Sequence, residues 1–134
     1  MESLPFRLRV PGKDALTATQ ASSTTFRFHG LLHLLDDAIR LEWTGTADVE
    51  EVSLLAVKQE TLALPDEVLA LPLARVRSIE LRGGWLRPYL ELMGNDLEAL
   101  RIVPGESHGR VRLWLARRDR PLAAEIVAAV RARR

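Results

Sequence analysis

Apolar and polar residues alternate with a period of two over most of this chain, which predicts strands. The clearest stretch is Leu69 to Leu92. Ile79 and Leu81 share a face against Glu80 and Arg82, while Leu86, Leu90 and Leu92 share one against Arg87, Tyr89 and Glu91. Gly83-Gly84 between the two runs readily supplies the positive φ of a two-residue turn, so the stretch reads as a β-hairpin. An upstream hairpin has Phe26, Phe28, Gly30, Leu32 and Leu34 on one face, with Arg27, His29 and His33 on the other. Asp36-Asp37 makes its turn, and Ile39, Leu41 and Trp43 alternate with Arg40 and Glu42 in its second arm.

Between the hairpins the pattern weakens. Thr44 to Glu51 is polar and acidic with Gly45 inside it, and reads as a loop. Val52 to Ala63 fits a helical face or a strand; its position between strand-rich regions favours a strand with an irregular end. Pro65-Asp66 then turns the chain into Val68 to Leu73. Beyond Leu92, Gly94-Asn95-Asp96 marks a turn, and Leu97, Leu100 and Ile102 fit either a short strand or one helical turn. Pro104 to Gly109 is a loop, and Val111, Leu113 and Leu115 alternate with Arg110, Arg112 and Trp114 in the last strand. The period then changes to that of a helix. Leu122, Ile126, Val127 and Val130 form its apolar face, Asp119 its N-cap, and Pro121 lies in its first turn. Arg131, Arg133 and Arg134 stand at its C-terminus, where positive charge complements the dipole.

At the other end, Phe6, Leu8 and Val10 alternate with Arg7 and Arg9 between Pro5 and Pro11. Flanking prolines favour an edge strand or an extended tail over a central strand. Thr17 to Thr25, rich in Thr, Ser and Ala, reads as a linker. The expected organisation is an N-terminal extension over 1–22, strand or flexible tail, and one domain over 23–134. That domain is mainly β: a partly open antiparallel barrel or sandwich of about seven strands, closed by a C-terminal helix.

The residues Phe28-His29-Gly30-Leu31-Leu32, the strand Ile39 to Trp43, Leu71-Pro72-Leu73, Val76, Ser78-Ile79-Glu80 and the strand–helix pair from Arg110 to Val130 carry a family resemblance. Over roughly residues 24–133 the chain resembles the pleckstrin-homology superfamily, especially bacterial PH-like and GRAM-like domains. The resemblance implies a fold that binds lipid headgroups or peptides, or self-associates, usually without catalysis. Phosphoinositide-binding members place basic residues at the first strand–strand loop. Here that loop carries Asp36-Asp37, with only Arg40 close by.

Length and composition narrow the classes. At 134 residues the chain suits one domain with a real core, and a net charge of +1 gives no bulk reason to invoke nucleic acid or a membrane. Cysteine is absent, which excludes disulfides, thiolate metal sites and thiol nucleophiles, and fits a cytoplasmic setting. No apolar run is long enough to span a bilayer, and no signal peptide is expected. Lys13 and Lys58 are the only lysines; from residue 61 onward, 13 basic residues, all arginine, stand against 9 acidic ones. Guanidinium pairs well with carboxylate and phosphate.

Candidate chemistry is sparse. His29 and His33 would share a helical face, but on a strand four residues span about 13 Å, too far for one metal held at about 2.1 Å. His108 lies in a predicted loop. Asp36 and Asp37 suit a solvated turn better than acid–base work. Gly105-Glu106-Ser107-His108-Gly109 matches the G-x-S-x-G nucleophile elbow, yet a strand is expected after it instead of before it, and no histidine lies downstream of His108. No nucleotide motif occurs. Arg117-Arg118-Asp119-Arg120 reads as a solvated helix start. The outward residues are the most informative: Arg110, Arg112 and Trp114 share a face, as do Trp85, Arg87 and Tyr89. Arginine interleaved with aromatics is typical of interface hot spots. The expectation is therefore a non-catalytic interaction module, without cofactor or metal, binding a protein or a second copy of itself. Peripheral binding of anionic lipid headgroups by the arginine-rich second half is the alternative.

Overall fold

The computed structural model describes residues 3–10, 12–17 and 19–133. Its strands are β1 (Ser3–Arg9), β2 (Lys13–Leu16), β3 (Gln20–Leu34), β4 (Ala38–Ser53), β5 (Val57–Pro72), β6 (Val76–Arg82), β7 (Tyr89–Gly94) and β8 (Arg110–Trp114). They form one antiparallel sheet in the order β5-β4-β3-β1-β8-β7-β6, with β2 beside the first half of β3. The sheet does not close: β5 and β6, joined by a 3-10 turn at Leu73–Arg75, are its two ends. A single helix, α1 (Arg120–Arg133), follows, so the chain is mainly β with a C-terminal helix among the described residues.

Alternation builds the core as expected. Leu32 and Leu34 of β3, Ile39, Leu41 and Trp43 of β4, Leu90 and Leu92 of β7, and Val111 and Leu113 of β8 all point inward and are buried. Ala123, Ile126, Val127 and Val130 of α1 join the same core. The Arg131 guanidinium donates to the Ile79 carbonyl at 3.3 Å and Arg133 to Leu35 at 2.6 Å, so the helix end is tied to both β6 and the β3–β4 turn. Arg134 lies outside the described residues, as do Pro11 and Ala18.

Several expectations are corrected. The prolines around Phe6 predict an edge strand or tail, but β1 sits between β3 and β8, with Leu4, Phe6 and Leu8 buried. Its pairing with β8 is confined to Arg7↔Trp114, so most of one side of β1 makes no ladder bonds and Pro5 is tolerated as on an edge. The expected linker from Gln20 onward and the expected Thr44–Glu51 loop are strand, in a ladder that runs from Gln20↔Ser53 to Leu34↔Ile39. Their polar composition follows from position. Gly45 and Ala47 are still buried on the inner face; beyond them residues 48–53, with the paired first part of β3 and residues 57–63 of β5, run past the core as an arm whose faces need no apolar residues. Pro65-Asp66 is a bulge opposite Thr44 within β5, since Gly45 pairs with Leu64 and Trp43 with Glu67.

The Gly83-Gly84 hairpin is also longer than expected. Both glycines have positive φ, 85° and 66°, but the ladder resumes at Arg82↔Tyr89, leaving residues 83–88 as the loop. Pro88 explains this, because β7 is flanked by β6 and β8 and a proline there has no N–H to give.

Residues 95–109 form successive turns, with neither strand nor helix over Leu97 to Ile102. Asp96 organises them: its carboxylate accepts from Glu98 N at 2.8 Å, Ala99 N at 2.9 Å and Arg75 at 3.3 Å. The backbone hydrogen bond from Glu98, helped by Arg75, holds the Asp96 carboxyl below its ordinary pKa. A depressed carboxyl stabilises the fold above its unfolded-state pKa, and that contribution is lost as pH falls through the folded one. Asp96→Ala is therefore expected to lower Tm at neutral pH, with the difference from wild type shrinking as pH falls through the carboxylate range. Thermal scans at several pH values check this.

Candidate interaction surface

The outer face of β1, β8 and β7 carries the site. Alternation sends Arg7 and Arg9 outward from β1, Arg110, Arg112 and Trp114 from β8, and Tyr89 and Glu91 from β7. Register then aligns them: Arg7 is opposite Trp114, which is opposite Tyr89, and Arg112 is opposite Glu91. The result is a stack. The Arg9 guanidinium lies 3.9 Å from the Trp114 ring centroid, and the Trp114 and Tyr89 centroids are 4.8 Å apart at 46°. Arg112 lies 5.1 Å from the Tyr89 centroid at the other end. Cation–π contacts hold both guanidiniums against the rings while leaving N–H edges for an acceptor.

Among the described residues, Arg7, Arg9, Arg110 and Arg112 make no ion pair. Glu91 borders them but is engaged by Arg82, whose Nε lies 3.7 Å from its carboxylate. Trp114 is the wall shared by two hollows. One, of about 590 Å³, lies between Arg9, Arg110, Arg112 and the loop at Gly105–His108. The other is an open groove of about 940 Å³ crossing the sheet from Val68 and Glu42 past His29 and Arg7 to Arg118. The smaller hollow sets three arginines against one carboxylate, Glu91, while acids outnumber arginines in the larger, so an occupant of both would set its acidic part over β8.

The six residues expected on the surface divide. Tyr89, Arg110, Arg112 and Trp114 are brought together as the alternation predicts. Trp85 and Arg87 are not in β7 but in the 83–88 loop. Trp85 is 68% exposed, with Arg117 lying 5.6 Å from its ring. Arg7 and Arg9 are the members the sequence reading leaves out. Their own alternation marks them as outward; only the pairing of β1 with β8 places them beside Trp114.

The other candidates are placed as follows. His29 lines the groove, and His33 bonds Ser3 at 2.8 Å and Glu42 at 2.9 Å. Among the described residues no three His, Asp or Glu side chains are grouped as a metal would require. Ser107 Oγ is 2.9 Å from His108 Nδ1, but both are exposed, and the nearby Glu106 carboxylate accepts from Gly109 N at 2.7 Å. β8 follows this loop, so the serine stands on a turn leading into a strand, the reverse of an elbow. Asp36 and Asp37 are exposed in the β3–β4 turn. No helix among the described residues is long and apolar enough to cross a membrane.

Comparison with protein-family models, with curated proteins and with solved structures finds no match to this chain.

Proposed function

We propose that this chain is a cytoplasmic, non-catalytic interaction module of PH-like type that binds an acidic segment of a protein partner. The observation that carries the reading is the Arg9–Trp114–Tyr89–Arg112 stack, flanked by Arg7 and Arg110. The open antiparallel sheet, with the apolar face of α1 packed into its core, supports the PH-like part. Carboxylates suit the stack because each guanidinium can offer two parallel N–H donors, and the rings beneath supply apolar area for the side chains bearing them. A bilayer headgroup layer is the less suitable occupant, since the neighbouring groove wall carries Glu42, Asp66, Glu67 and Asp119.

The test is isothermal titration calorimetry of the protein with a glutamate-rich, tyrosine-containing peptide and with phosphatidylserine vesicles. The peptide should bind and the vesicles should not. Trp114→Ala should weaken peptide binding about thirtyfold, the effect of losing a hot spot of about 2 kcal/mol, and Arg112→Ala should weaken it less. Vesicle binding that fades with salt, with no peptide binding, would replace this reading by the lipid one.

A further inference from the structure

We propose that two copies of the chain join edge to edge along β5, antiparallel, with the two-fold axis at Gln59. The inference rests on the reading of the chain as an interaction module but uses a surface separate from the Trp114 stack.

β5 ends the sheet. Its inner side pairs with β4 from Ala38↔Pro72 to Val52↔Val57, and among the described residues no strand pairs with its outer side. Over residues 57–63 it belongs to the arm that projects beyond the core. There the exposed residues include Val57 (62%) and Leu62 (43%), with Leu54 (83%) and Leu55 (97%) at the adjoining β4–β5 turn. A long unpaired edge carrying exposed apolar side chains is a template for strand addition.

Symmetry and charge select the register. In a two-fold antiparallel pair, opposed residues must direct their N–H and C=O groups alike, both toward the partner or both away, and along a strand this direction alternates with every residue. Opposed residues are therefore an even number of positions apart, and the axis passes through a residue. An axis at Lys58 or at Glu60 sets like charges face to face. An axis farther toward Leu62 brings Pro65, which has no N–H, and the bulge into the ladder. An axis at Gln59 sets Lys58 of each copy opposite Glu60 of the other, twice, and Val57 opposite Thr61. Val57, where β5 begins, is the last ladder position at that end, because Leu54 and Leu55 belong to the turn that crosses to β4. Lys58 already faces Glu51 across the β4–β5 pair, so it would lie between two carboxylates.

Sedimentation velocity of the full chain up to about 100 μM should show a dimer that dissociates on dilution. Lys58→Glu and Glu60→Lys should each raise the dissociation constant about tenfold or more, because each sets like charges opposite one another at both pairs. An equimolar mixture of the two variants should dimerise again, since the two carboxylates at positions 58 and 60 of one variant then face the two ammonium groups at positions 60 and 58 of the other. The chain has no cysteine, so Gln59→Cys should give a disulfide-linked dimer under mild oxidation with oxidised glutathione, while Thr61→Cys should not. Both positions are exposed, so the variants should fold, and circular dichroism is the check. A wild-type monomer at the top concentration, or single charge variants that dimerise like wild type, would overturn the proposal. Equal cross-linking at residues 59 and 61 would overturn the register. Trp114→Ala should leave the dimer intact, so failure here leaves the acidic-partner reading standing, and the converse also holds.

Discussion

Phe6→Ala is expected to cost about 3–5 kcal/mol, a large share of the roughly 5–15 kcal/mol of a whole domain. Phe6 is 2% exposed and packs in the core from β1, opposite Gly30 of β3. Its loss removes a buried ring and leaves a cavity where β1 has almost no ladder with β8 to hold it. Urea denaturation followed by far-UV circular dichroism should show a lower midpoint with an unchanged slope. A residue on a tail would shift the midpoint hardly at all, within about 0.5 kcal/mol of wild type. The experiment thus separates the two positions for the N-terminus that composition leaves open.

Gly30→Ala is the second large effect, for a different reason. A Cβ at residue 30 would lie 2.1 Å from the Glu42 carbonyl oxygen, 2.7 Å from Phe6 Cζ and 3.0 Å from Trp43 Cα. Two of these atoms are backbone of the paired strand, so the β3–β4 ladder must open to admit a methyl group. Overpacking of a core usually costs about 1–3 kcal/mol; here a loss at or above the top of that range is expected. Phe6 and Gly30 also couple. Removing the Phe6 ring relieves one of the three contacts but not the Glu42 carbonyl, so Phe6→Ala/Gly30→Ala should lose less than the sum of the single changes and more than either alone. Urea midpoints for the four proteins of this cycle give the answer directly.

The arginine–aromatic surface was half legible. Tyr89, Arg110, Arg112 and Trp114 stand at alternate positions against apolar neighbours, and once a strand is assigned such residues face away from its core. Arg7 and Arg9 obey the same rule, but nothing local says that residue 7 pairs with residue 114. Trp85 and Arg87 went astray on local grounds. Leu86 and Leu90 continue an apparent alternation through Pro88, and the proline was the available sign that a strand with neighbours on both sides cannot start before Tyr89.

Local chemistry determined most of the strands in which large apolar residues alternate over a buried face, where the last helix starts, and which of its faces is apolar. It did so because a half-buried strand or helix must repeat apolar residues at its own period. The tertiary structure decided the rest: that β1 is central, that β3, β4 and β5 run on as an arm, and that β5 ends the sheet with an edge to spare. In the arm neither face is buried, so no alternation is required and strand looks like loop. β1 finds its neighbours through pairings distant in sequence, whose entropic cost is recovered only when the whole core assembles.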